Sequence, residues 1–299
     1  MRPSVVWRRI YADFLMPSRL ASYPRLLDAA LEAGYRIISV EQFWSAVRTH
    51  AVEPARQYLI LRHDVDTDVR TASLMLEIER AHGVGCSSYF FRLNALDVEL
   101  MRSIAAGGGE AGYHFEELAT VVKRRGVRSG EEALLRIPEA QEDFRQNLQC
   151  IRALTGLPIR IVASHGDFAN RVVGVPNWRL LDDARFRAEM GIDLEVYDDA
   201  LVRHVTSRHS DIAPPRCWLP TDPLTAIEER HHVVYVLVHP RHWHVNRPTN
   251  ARDDVRRIWQ GLCYRWGIGS LARDSPPCAP LASASDMRAG DPTEPEVPP

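Results

Sequence analysis

Strand-like and helix-like stretches alternate along this chain from Tyr23 to Tyr264, and that alternation most narrows the folds open to it. Residues 23–34 carry Leu26, Leu27, Ala30 and Leu31 at helical spacing, with Gly34 as the C-cap. Residues 35–40 read as a strand and 41–48 as a second helix. The next strand covers 58–65, followed by a helix over 68–82 that Gly83 and Gly85 end. The aromatic stretch 87–93 predicts a strand. A helix over 97–106 stops at Gly107-Gly108-Gly109, and 110–115 is a short strand. Residues 131–154 read as helix with a break near Pro138. Strand 159–164, helix 177–190 and short strand 193–197 follow. Val233 to Val238 is a continuous β-branched apolar run, the pattern of a strand buried on both faces. A helix over 253–264 closes the series. Such alternation argues for a parallel sheet or a barrel. One domain is expected over residues 1–271. Seven prolines fall among residues 272–299, which predicts a disordered tail.

The chemistry gathers where apolar runs end. Tyr58-Leu59-Ile60-Leu61 leads directly into Arg62-His63-Asp64-Val65-Asp66. Side chains alternate along a strand, so Asp64 and Asp66 point the same way. Two adjacent carboxylates repel each other and lose water at a cost, and a divalent cation relieves both penalties. The bland reading, that they cap the following helix, suits Asp68 better. Three later runs end in imidazoles: His114 within Gly112-Tyr113-His114-Phe115-Glu116-Glu117, His165 after Ser164, and His239 after Val238. In barrels the strand C-termini converge on one mouth. Asp/His mixtures suit zinc and related ions. Read from the residues alone, His114 also fits a core histidine and His165 a loop His-Gly turn. His242 and His244, with Arg241 and Trp243, read as loop or rim, and His231-His232 as solvent-facing.

At this point the chain resembles the polysaccharide deacetylases of the NodB-homology type. The resemblance is carried by Arg62-His63-Asp64-Val65-Asp66, Ser88-Tyr89-Phe90-Phe91-Arg92, Glu110-Ala111-Gly112-Tyr113-His114 and Leu237-Val238-His239, in that order over residues 20–265. It implies an α/β fold, a distorted (β/α) barrel, and a metal-dependent hydrolase that removes an N-acyl group from an amino sugar. It further implies Asp64 as general base, Asp66 and His114 as metal ligands, and His239 as general acid. The family's usual second histidine falls here on Leu118. Its Arg-x-Pro-aromatic motif is replaced by His165-Gly166-Asp167-Phe168, and its Asp-Trp motif is echoed only by Asp211 and Trp218. His165 is therefore assigned as the third ligand, with Glu117 as the fallback. Tyr113, Trp243 and Phe168 are candidates for stacking on a sugar. The cofactor expected is a divalent metal, zinc by preference, and the partner a carbohydrate or small amide.

Composition excludes several other classes. The net charge is −2, and the basic cluster Lys123-Arg124-Arg125 is short, so no nucleic-acid stripe is present. The five scattered cysteines form no C-x-x-C, which predicts a reducing compartment and neither a disulfide framework nor a structural zinc knuckle. No apolar h-region or spanning stretch opens the chain, so a soluble, cytoplasmic protein is expected. Gly107-Gly108-Gly109 precedes a strand rather than a helix, which removes the dinucleotide-loop reading. No G-x-S-x-G occurs, so a serine hydrolase lacks support. Three rivals stand beside the deacetylase reading. A glycoside hydrolase would use two carboxylates, but these usually flank the bond from opposite sides, whereas Asp64 and Asp66 share a strand. The others are a C–N hydrolase on a different small amide, and a non-catalytic carbohydrate-binding relative that has lost the metal.

Overall fold

The computed structural model describes residues 7, 10–213 and 216–267. The predicted tail over 272–299 lies outside the described residues. Nine strands form one sheet among them: β1 Arg36–Ile38, β2 Tyr58–Val65, β3 Ser88–Phe91, β4 Glu110–Phe115, β5 Ile161–Ser164, β6 Leu194–Glu195, β7 Ser207–Asp211, β8 Trp218–Leu219 and β9 Val233–Val238. Their order is β6-β5-β4-β3-β2-β9-β7-β8. β1 and β3 share one side of β2: β1 pairs with Tyr58–Ile60 and β3 with Arg62–Val65. Every pairing is parallel except β7 with β8. Parallel neighbours need crossovers, which the intervening helices supply. The fold is the mixed α/β class expected, with the sheet curled into a half-barrel that stays open between β6 and β8.

The alternation along β2 sorts the two faces. Leu59, Leu61 and Val65 pack outward under helices, Leu59 and Leu61 against Leu27, Met75 and Val236. Tyr58 and Ile60 face inward, with Phe90, Ile161, Tyr235 and Leu237. Arg62 and Asp64 continue that inner row toward the mouth. The inner wall is tight at Gly112, where a Cβ would lie 2.5 Å from the Phe90 ring and 3.0 Å from the Ile161 carbonyl. Any larger residue there would push β4 off β3, two residues before His114.

Register sets the level of the site. Val65 lies opposite Phe91, Phe91 opposite Tyr113, and Tyr113 opposite Val162. One residue further on, Asp66 and His114 therefore stand level at the carboxyl edge of the sheet, and His165 follows β5 at the same edge. His63 lies opposite Val238, which brings His239 beside Asp64.

Several boundaries differ from the sequence reading. Val40 starts a helix, Val40–Arg48, because Ser39 accepts the Gln42 N–H as N-cap. The expected helix over 177–190 is two pieces, a 3-10 turn Asn177–Leu181 and a helix Ala184–Glu189. Asp182 closes the first, and Asp183 caps the second by accepting from the Arg185 and Phe186 N–H groups. Pro138 does not kink one long helix. It sits in the first turn of a new one, Ile137–Thr155, where its missing N–H costs nothing. Two strands went unread, β7 and β8, and so did the helix Glu117–Arg125.

Candidate active site

Asp66, His114 and His165 meet at the carboxyl edge of the sheet. His114 Nε2 and His165 Nε2 each lie 3.5 Å from Asp66 Oδ1. The two rings stand 5.1 Å apart and nearly perpendicular. One donor atom from each of the three residues falls within 4.8 Å of the other two. Asp66 Oδ1 is buried and has no hydrogen-bond partner among the described residues.

The proton inventory explains that orphan oxygen. His114 Nδ1 lies 3.0 Å from the Ala163 carbonyl, which only accepts, so Nδ1 carries the proton. Burial pushes the His114 pKa down to about 4, against the pull of Asp64 and Asp66, so the ring is neutral near pH 7. Its Nε2 then turns a bare lone pair toward Asp66 Oδ1 at 3.5 Å and Asp64 Oδ2 at 3.4 Å. Lone pairs facing each other repel unless a cation lies between them. Ligands about 2.0–2.1 Å from a tetrahedral zinc stand about 3.3–3.4 Å apart, so these separations fit such an ion. Burial works against the charge of Asp66, but His165 and His114 outweigh it and hold the carboxyl well below its usual range.

A second layer orients the ligands. His165 Nδ1 lies 3.3 Å from Glu116 Oε2, and Arg92 pairs with the other Glu116 oxygen. Asn177 donates to the His165 carbonyl at 2.5 Å. Glu117, the fallback ligand of the sequence reading, turns away from the site. It accepts from Tyr113 Oη and, at 2.9 Å, from Asn147 Nδ2, and burial raises its pKa to about 7. The reason is local: Glu117 opens a helix that packs on Ile137–Thr155, while Glu116 is still at the strand end. Leu118, at the place of the missing histidine, lies in the core with Val122 and Ala140.

Asp64 sits beside this group and is held from below. Arg62 donates from Nε to Oδ1 and from a terminal nitrogen to Oδ2, both at 2.7 Å. The guanidinium is fully buried, lies over the rings of Phe90 and Tyr197, and donates to Tyr235 Oη at 3.2 Å. A lone buried charge would cost on the order of several kcal/mol, so the pair is obligate. Burial favours the neutral acid, yet Arg62 prevails and keeps Asp64 ionised with a lowered pKa.

His239 stands on the opposite flank. Its Nδ1 donates to Asp211 Oδ1 at 2.6 Å, and its backbone N–H donates to Asp211 Oδ2 at 2.8 Å. His242 Nδ1 lies 3.2 Å from Oδ1, and Trp243 Nε1 donates to Oδ2 at 2.8 Å. Burial lowers the His239 pKa, but Asp211 more than reverses this and raises it to about 9. His242 and Trp243 are thus part of the site's support rather than rim. The indole that touches Asp211 is Trp243, which is buried edge-on to Tyr23 and Trp218. Tyr113 is also buried, and Phe168 packs on Tyr264, so neither Tyr113 nor Trp243 is free to stack on a ligand. A cleft of about 850 Å³ opens over Asp64, Asp66, His114, His165 and His239, with Tyr197 on its wall.

Asp64, Asp66, His114, His165 and His239 all border this one cleft, whereas Glu117, Tyr113, Trp243 and Phe168 do not. Arg62, Glu116 and the full role of Asp211 went unread. Arg62 carried a signal, because a charged residue in a run buried on both faces needs a partner, and Asp64 is two residues on, on the same face.

Fold and site together define an α/β half-barrel with an Asp-His-His donor set at the carboxyl ends of its parallel strands. Neither a family model nor a curated protein matches the sequence. Among solved structures the chain is similar to the Streptococcus pyogenes deacetylase PplD in complex with acetate. Identity is 13%, the match covers 65% of this chain and 76% of that one, and the TM-score is 0.42. It is also similar to a mutant of BA3943, a CE4 family pseudoenzyme with restored enzymatic activity. Identity there is 17%, coverage 70% of this chain and 65% of that one, and the TM-score 0.36.

Proposed function

We propose that this chain is a metal-dependent amidohydrolase that removes an N-acyl group, acetyl in the simplest case, from an amino sugar or glycan precursor. The observation that carries this reading is the bare His114 Nε2 facing two carboxylates across a buried gap. Asp66, His114 and His165 would hold the ion. A divalent cation there, zinc for this donor set, supplies Lewis-acid polarisation of a carbonyl and a lowered pKa for water.

The remaining steps belong to the side chains. Asp64 is anionic and fixed by Arg62, and its Oδ2 borders the donor set. It takes the proton of the attacking water as general base. His239, protonated below about pH 9, has Nδ1 committed to Asp211, which leaves Nε2–H for the departing amine. An anionic carboxylate on one flank and an imidazolium on the other are the opposed protonation states that amide hydrolysis requires.

A second reading of the substrate is favoured by one observation. Tyr113 and Trp243 are buried, and Phe168 does not line the cleft. A non-carbohydrate amide of similar size fits a wall without those platforms. The deciding experiment offers the zinc-loaded protein N-acetylated sugar oligomers and simple N-acyl amines, and measures carboxylate and free amine. Release from neither, by a protein that holds stoichiometric zinc, would overturn the hydrolase reading.

A further inference from the structure

The helix Arg247–Trp266 is packed inside out. Its buried residues are Asn250, Asp253, Gln260, Cys263 and Tyr264, a mostly polar row. Its large apolar residues face solvent instead: Val255 is 69% exposed, Ile258 64%, Trp259 58% and Trp266 64%. With half-buried Leu262 they recur at i, i+3, i+4, i+7 and i+11, one continuous stripe on a 3.6-residue period. Scattered exposed apolar residues need no explanation, but a contiguous stripe with two tryptophans does.

The polar face is fixed, so the helix cannot roll to bury the stripe. Asn250 Nδ2 donates to the Asp13 carbonyl at 2.7 Å, and Asp253 accepts from Arg241 at 2.9 Å. Arg241 also reaches Asp13 at 2.9 Å, and Arg247 donates to the Phe14 carbonyl at 3.1 Å. These bonds dock the segment Tyr11–Leu15 on the helix. Trp7, Ile10, Tyr11 and Leu15 are exposed on this adjoining piece of chain.

Charge selects among occupants. On the helical wheel Arg252 and Arg265 flank the stripe, one on each side, and both are exposed. The sequence beyond the helix, residues 268–299, offers only Ile268, Leu271, Leu281, Met287 and Val297 as large apolar residues, with no helical or alternating spacing to match the stripe. Tryptophan and aliphatic side chains rimmed by arginine match the boundary of an anionic bilayer, where indole and guanidinium both sit well.

We propose that this surface docks the protein on an anionic phospholipid membrane. It lies in the interface and does not span, since no described helix is long and apolar enough to cross. The cleft borders the opposite, polar side of the same helix, where Ala12, Asp13 and Arg257 line it.

The test is flotation of the full chain with vesicles of phosphatidylglycerol and phosphatidylcholine, or of phosphatidylcholine alone. The wild type should float with the mixed vesicles at low salt and bind at least about tenfold less to the neutral ones. Ile258→Ser/Trp259→Ser/Trp266→Ser should weaken binding to mixed vesicles about tenfold or more, with an unchanged thermal midpoint because all three side chains are exposed. Arg252→Glu/Arg265→Glu should do the same. The proposal is overturned if the wild type stays unbound. It is also overturned if both variants float like wild type, or if the serine variant instead abolishes a concentration-dependent dimer. None of these readouts depends on amide hydrolysis.

Discussion

Two clusters in this molecule have the same composition, one aspartate and two histidines, and opposite character. In the Asp66 cluster the imidazole nitrogens stop 3.5 Å from the carboxylate, and the shared oxygen is unpaired. In the Asp211 cluster the contacts are 2.6 and 3.2 Å, and both oxygens are saturated by N–H donors. The first is short of positive charge, and the second holds protons where the first would hold an ion. Residue types alone therefore do not separate a metal site from an acid. What separates them is which nitrogen a neighbour has claimed. Ala163 takes the Nδ1 proton of His114 and frees Nε2 toward the carboxylate, whereas Asp211 takes the Nδ1 proton of His239 for itself.

The sharpest way to break this comparison is Asp66→Ala. It should abolish stoichiometric zinc, read by elemental analysis of the purified protein, while Asp211→Ala should leave zinc in place. Zinc lost with Asp211 and kept without Asp66 would reverse the two assignments. Next in size is Asp64→Asn. It should retain zinc and lose roughly a hundredfold or more in turnover, the usual worth of a positioned base. It also leaves Arg62 without a counter-charge, so its thermal midpoint should fall as well. Asp64→Glu, which keeps the charge, separates that loss of stability from the loss of the base.

How much of this was open to a reader of the sequence depended on whether a signal was local. Strands β2 and β9 were read to the residue, because long apolar runs buried on both faces leave little choice of boundary. β7 escaped because Ser207-Arg208-His209-Ser210-Asp211 has no apolar alternation, and over Ser207–His209 it is held by β9 alone. The shared direction of Asp64 and Asp66 follows from strand periodicity and was legible. The choice of Glu116 over Glu117 was not, since it turns on where a strand ends and a helix begins, a matter of one residue. Asp211 was visible only as a faint motif echo. Its link to His239 joins two strands through tertiary pairing, and no spacing in the sequence records that.

Glu116→Gln sharpens the comparison from the side of the metal cluster. Glu116 touches no donor atom of the proposed ion but lies 3.3 Å from His165 Nδ1, on the far side of that ring. Partners of this kind change metal affinity by about 10–100-fold. Competition with a chromophoric chelator should show a loss of that size, with the ion still bound at saturating zinc. An unchanged affinity would mean that His165 is oriented by Asn177 alone.

The smallest effect is the most specific to the proton-holding cluster. Asp211→Asn removes the charge that raises His239 to about 9, so its pKa should fall toward or below the ordinary imidazole value of about 6.5. The alkaline limb of kcat/KM should move down with it, while zinc content stays constant. Stability gives an independent reading of the same shift. His239 is raised on folding, so its contribution is complete below about pH 6.5 and is lost as pH rises through about 9. Asp211 is depressed on folding, so its contribution is present above about pH 4 and is lost only as pH falls below that. The wild type should therefore lose part of its unfolding free energy between about pH 6.5 and 9, and Asp211→Asn should not. A variant that kept the alkaline limb near 9 would place the proton on some group other than His239, and would dissolve the contrast between the two clusters.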